Sequence, residues 1–116
     1  MKLTLWQQQQ QPRIERELAR IVDALKSLGV ERVILFGSHA RGDFNEASDI
    51  DLVVILETNQ RFLDRIDRVL EQIEPCSLPV EALVYTPAEY EELRRRRAVL
   101  VETVKREGKV LYERPA

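Results

Sequence analysis

The stretch Ser48-Asp49-Ile50-Asp51-Leu52-Val53-Val54-Ile55-Leu56 constrains this chain more than any other segment. Its second half is an unbroken aliphatic run, which predicts a strand buried on both faces. Such a strand needs a sheet with other elements packed against it. Two aspartates nevertheless stand at its start, two residues apart. Strand side chains alternate, so both carboxylates share one face. Like charges in that arrangement repel, and partial burial adds to the cost. A divalent cation removes the conflict, because hard Mg²⁺ takes a couple of carboxylates and completes its octahedron with phosphate and water oxygens.

The neighbouring elements follow from periodicity. Gln7 to Gln11 is a polar run that reads as a solvated lead-in covering residues 1–11. Pro12 suits a first helical turn. Ile14, Leu18, Ile21, Val22, Leu25 and Leu28 then form one apolar helical stripe, which Gly29 stops. Arg32 to Phe36 reads as a short buried strand. Phe62, Ile66, Val69, Leu70 and Ile73 mark a second amphipathic helix closed by Pro75. Val80 to Tyr85 is a third strand. Thr86-Pro87-Ala88-Glu89 is a capping box with proline at N1. It predicts a helix whose buried side is Tyr90, Leu93, Leu100, Val101 and Val104, ended by Gly108. Lys109 to Glu113 adds a last strand. The fold class expected is α/β (α+β), a small mixed sheet with helices packed mainly on one face.

Composition narrows the function. The 116 residues suit one domain, 1–116, and 18 Lys+Arg against 20 Asp+Glu leave a formal charge of -2. A nucleic-acid coat protein is normally strongly basic, so direct nucleic-acid binding is disfavoured. One cysteine, Cys76, and one histidine, His39, exclude an internal disulfide and a zinc site of the usual kind. No apolar run reaches the roughly 20 residues that span a bilayer. The short apolar start before the glutamines is too small for a signal-peptide core, and a cytoplasmic protein is expected.

Two further features join the aspartates. Glu81 lies near the start of the third strand, and it faces the pair if that strand neighbours theirs. Three acids on two strands would make a two-metal cage for phosphoryl transfer. Gly37-Ser38 follows the first strand directly. Glycine lets a ligand approach the backbone, freed N–H groups can cradle anionic oxygens, and Ser38 adds a hydroxyl. Arg41 adds a cation with a donor fork suited to phosphate. His39 reads as an exposed loop residue. Arg94 to Arg97 reads as a solvated helix face, with docking to an acidic or RNA-bearing partner as the other possibility.

Gly37-Ser38, ten residues, and then Asp49-Ile50-Asp51 resembles the signature of the DNA polymerase β-like nucleotidyltransferase superfamily. The fuller stretch from Gly37 to Val54 looks like the minimal nucleotidyltransferases, and the likeness runs from about Ile14 to Glu113. The resemblance implies the polymerase β-like fold, with Gly37, Ser38 and Arg41 at the triphosphate. It implies two Mg²⁺ ions on Asp49, Asp51 and a third carboxylate. In the family that third acid is usually aspartate; the matching position here is Glu81. Stand-alone members are commonly paired with a small helical HEPN toxin. The implied activity is therefore transfer of AMP from ATP to a tyrosine of that partner, as an antitoxin. Two alternatives stay open: an antitoxin that silences its partner by binding alone, and a small-molecule nucleotidyltransferase of the aminoglycoside-modifying kind.

Overall fold

The computed structural model describes residues 2–116. The chain runs α1 (Leu5–Lys26), β1 (Arg32–Phe36), α2 (Ser38–Arg41), β2 (Ile50–Ile55), α3 (Phe62–Ile73), β3 (Val80–Tyr85), α4 (Pro87–Arg95), α5 (Val99–Glu107) and β4 (Lys109–Glu113). The four strands form one mixed sheet in the order β3-β2-β1-β4. β1 is antiparallel to β2 and β4, whereas β2 and β3 are parallel. A parallel pair needs a crossover, and α3 supplies it.

Alternation divides the core between the two sheet faces. Val33, Leu35, Leu52, Val54, Ala82 and Val84 point to the side that carries α1 and α3. Ile34, Val53 and Ile55 point to the other side, where Val104 of α5 and Tyr90 of α4 cover them. The two long helices therefore share one face, and the shorter pair closes the other. Asp51 keeps phase with Val53 and Ile55, so its carboxylate emerges on the face of α5.

Two expectations need correction. The glutamine run is not a lead-in but the first turns of α1. Thr4 caps the helix in a capping box with Gln7, so the helix starts seven residues before Pro12, which lies in its interior. Gln7 is buried, and its Nε2 donates to the carbonyls of Gly42 at 3.1 Å and Phe44 at 2.9 Å. An amide that satisfies two buried carbonyls is invisible to a reading based on apolar spacing. The helix predicted across Tyr90 to Val104 is likewise two helices. α4 ends at Arg95, and Arg97 takes a left-handed φ of 53°. The Ala98 N–H donates to the Leu93 carbonyl at 3.0 Å and the Arg97 N–H to that of Arg94 at 3.1 Å. This is a Schellman ending, with arginine where glycine is usual.

Buried Arg65 of α3 anchors the α4 start. Its guanidinium donates to Glu89 at 2.6 and 3.2 Å, and Glu89 also completes the Thr86 cap. These hydrogen bonds hold the Glu89 carboxyl below the usual carboxylate range. No helix among the described residues is long and apolar enough to cross a membrane.

Candidate active site

β1 ends at Phe36, which pairs with Asp51 of the antiparallel β2. The turn after β1 is thereby delivered beside the aspartates that open β2. Gly37 has φ 77° and ψ −159°, a region essentially closed to other residues. A Cβ at Gly37 would overlap Asp51 Oδ2 and lie 3.2 Å from its Cγ. The glycine is needed both for its backbone conformation and for the space the carboxylate fills.

The parallel register then brings in the third acid, because Asp51 pairs directly with Glu81. Same-position partners in neighbouring strands face the same way, so the two carboxylates stand side by side. The Asp51 carboxyl is pushed up to about 6, first by burial, then by the charge and hydrogen bonding of Glu81 and by the charge of Asp49; Arg41 pulls the other way. Glu81 is exposed and Asp49 half-buried. Among the described residues no three His, Cys, Asp or Glu side chains converge into a finished metal cage. The donor set still has the chemistry a hard divalent ion needs: oxygen ligands only, like-charged and in mutual conflict without a cation.

α2 is a single turn after Gly37. Its Ala40 and Arg41 N–H groups both bond the Gly37 carbonyl at 3.0 Å, while those of Ser38 and His39 meet no acceptor among the described residues. Arg41 donates to Asp43 at 3.1 Å and to Glu107 at 3.1 Å. The same Glu107 oxygen accepts the Gly37 N–H at 3.3 Å. Glu107 is the residue that sequence reasoning missed. It sits seventy positions from Gly37, at the last turn of α5, and no local spacing links the two.

His39 is not exposed, as expected, but buried and stacked on Phe44 at 4.6 Å between ring centres. Burial lowers its pKa, with the Ser48 backbone and the Asp49 charge opposing, and neither ring nitrogen has a partner among the described residues. It packs the motif loop against α1, where Trp6 also meets Phe44 at 6.0 Å.

A glycine turn, an arginine and strand-paired acids thus meet at one end of a mixed sheet. The sequence profile described as "Nucleotidyltransferase domain" matches residues 16–110, and the chain belongs to that family. A Methanocaldococcus jannaschii relative, provisionally named a protein adenylyltransferase, is 32% identical over 103 residues, covering 84% of this chain and 97% of its own. A second protein of that organism, with the same provisional name, is 35% identical over 66 residues, 57% of this chain and 71% of its own. A solved structure provisionally named as a nucleotidyltransferase from Sulfolobus solfataricus shares the fold at TM-score 0.57 and 22% identity, covering 85% of this chain and 82% of the other. So does a toxin–antitoxin structure with AMP-PNP, at TM-score 0.57 and 20% identity, covering 84% and 73%.

Proposed function

We propose that this chain transfers AMP from ATP to a hydroxyl of a protein partner, and that the acceptor is a tyrosine of a HEPN toxin which the transfer silences. The observation that carries this is the Asp51–Glu81 register pair beside Gly37: acids and anion cradle meet at one end of the sheet. The provisional names of the relatives and the toxin–antitoxin neighbour point to the same acceptor class.

In this reading Asp49, Asp51 and Glu81 hold two Mg²⁺ ions, and Gly37, Ser38 and Arg41 hold the β- and γ-phosphates. When bound, the ions supply charge neutralisation and a lowered pKa for the attacking hydroxyl. The Gly37 turn offers backbone N–H groups to the phosphate oxygens, and Arg41 takes up charge on the departing pyrophosphate. The acceptor oxygen bonds to the α-phosphorus as the bond to the β-bridging oxygen breaks. Glu81, the exposed acid of the set, would help as metal ligand or take the acceptor proton.

Incubation of the purified chain with labelled ATP, Mg²⁺ and the protein encoded beside it tests this. Label should appear on the neighbour, and Asp49→Ala/Asp51→Ala should abolish it. No label with the intact chain sinks the enzymatic reading. A binding-only antitoxin is the second reading, favoured by the acids not converging into a finished cage. Full rescue from the toxin by Asp49→Asn/Asp51→Asn would establish it instead.

Glu107 makes a separate prediction. Its carboxylate takes the Gly37 N–H and the Arg41 guanidinium that this reading assigns to phosphate. The nucleotide must displace it. Glu107→Gln weakens a charge-assisted contact to a neutral one, a difference of about 1 kcal/mol. The KM for ATP should therefore fall about fivefold with kcat little changed. A rise in KM would show that Glu107 positions Arg41 rather than competing with the triphosphate.

A further inference from the structure

On the α5 face, between β1, β4 and the α4–α5 hairpin, lies a cavity of about 430 Å³ that shares no lining residue with the candidate active site. Its volume falls in the range of small-molecule sites. Ile34 and Val101 contribute to an apolar lining, and the Tyr90 ring forms part of the wall. Four cations line it, Arg32, Arg94, Arg97 and Lys105, against one acid, Glu102. In a chain of net charge -2 this is a marked local excess.

Two of these four cations are uncommitted. Arg94 is held by Glu91. Arg97 and Lys105 have no ion-pair partner among the described residues. Arg32, whose side chain is 35% exposed, forms an ion pair with Glu113 at 3.7 Å, but its Nε is shielded from solvent and has no hydrogen-bond partner. A buried unpartnered guanidinium nitrogen is costly unless something accepts from it.

The backbone adds an independent observation. Arg97 occupies the left-handed position of the α4 ending, with φ 53°. Glycine fits there without strain. An arginine in a conformation that opposes it, with its side chain on the cavity, points from strain to use.

We propose that this cavity is a second binding site, for a mononucleotide-sized phosphate anion with a flat apolar body. Guanidinium forks match phosphate oxygens. The apolar lining and the Tyr90 ring receive the body. A broad acidic protein surface would leave the recessed apolar lining unused, which is why the small ligand is favoured.

The test titrates AMP into the labelled full chain in EDTA and follows backbone amide signals by NMR. Shifts are expected at Val101, Lys105, Gly108 and Val110, apart from any at Gly37 and Ser38. Arg97→Gly/Lys105→Gln should weaken AMP at these positions at least tenfold. Adenosine and inorganic pyrophosphate should each bind there at least tenfold more weakly than AMP. Arg97→Gly alone should raise Tm by about 2–4 °C while weakening AMP, a combination that a purely structural arginine would not give. No shifts at the cavity, or an unchanged affinity in the double variant, overturns the proposal. Adenosine binding as well as AMP overturns the anion half; pyrophosphate binding as well overturns the apolar half. An acidic peptide that shifts the cavity signals where AMP does not would replace the small ligand with a protein partner.

Discussion

Asp51→Asn should abolish nucleotidyl transfer and, in metal-free buffer, make the protein more stable. The first effect follows from the site. In the proposed reading Asp51 is a metal ligand, and removing its charge between Glu81 and the Gly37 turn should cost on the order of a thousandfold in kcat or more. The second follows from the repulsion the acid suffers. Its carboxyl titrates near 6 in the fold because burial, Glu81 and Asp49 all oppose its charge. The unfolded chain returns it to the ordinary value of 3.8. The folded state therefore binds the proton more tightly than the unfolded state does. Below pH 3.8 both states are protonated and Asp51 costs nothing. As pH rises through about 6 the folded protein must ionise an opposed carboxyl, and stability falls. Solvent screening at this partly exposed position limits the cost to about 1 kcal/mol. Asn carries no such penalty. Its Tm should exceed that of the wild type by about 4 °C at pH 8 in EDTA, and the gap should close by pH 4.

Mg²⁺ completes the test. It should raise the Tm of the wild type at pH 8 and leave Asp51→Asn nearly unmoved, because ligand binding stabilises only the state that holds it. A variant less stable than the wild type at every pH would mean that Asp51 serves packing rather than a cation. In the proposed reading stability and activity then part at a single residue, since the acids carry a thermodynamic loss that a bound ion would offset.

The strands that carry the candidate site were legible where chemistry and periodicity coincide. The aliphatic run after Asp51 marks β2 and the run Val80–Tyr85 marks β3, but their adjacency stays conditional in the sequence; the structure makes them neighbours, with α3 between them. That crossover makes the pair parallel, and the register then sets Glu81 against Asp51. What was not legible depended on groups without periodicity. Gln7 reads as solvated until its amide is seen between two carbonyls of the motif loop. The end of α4 has neither glycine nor proline, so nothing in Arg94-Arg95-Arg96-Arg97 marks a stop; the chain turns there because Arg97 accepts a left-handed backbone. Glu107 reaches Gly37 only because α5 returns to β1. Gly108 allows that close approach, since a Cβ there would lie 3.2 Å from Ile34 and overlap the Val104 carbonyl.

These long-range contacts share a direction. Gln7 ties the motif loop from the α1 side and Glu107 from the α5 side. The Gly37 turn and the loop after it are therefore clamped between the two faces of the sheet. A turn so held can keep a residue in a costly conformation, since strain persists only where the surroundings over-determine it.

Gly37→Ala tests that clamp, and its expected effect on stability is the largest of any single change here. Two glycines have nearly the same φ: Gly29 at 79° and Gly37 at 77°. A Cβ at Gly29 meets nothing within 4 Å, so alanine there pays backbone strain alone, about 1 kcal/mol. Gly37 shares that φ but not an ordinary ψ: at −159° its backbone is a glycine-only conformation, which raises the strain for alanine to about 2 kcal/mol. The same methyl also overlaps Asp51 Oδ2. Asp51 is short and rooted in a buried strand, so it yields only by leaving its rotamer or forcing the turn to open. The total should reach about 3 kcal/mol, lowering Tm by roughly 12 °C. In the proposed reading transfer activity should fall at least a hundredfold, since both the carboxylate and the N–H assigned to phosphate are displaced. Gly29→Ala should keep full activity. The clash should also be separable from the strain. In an Asp51→Ala background, Gly37→Ala should cost about 1 kcal/mol less than in the wild type, a coupling measurable by a double-mutant cycle of chemical denaturation. If instead the two changes add, the methyl and the carboxylate do not meet, and the turn is held by its backbone alone.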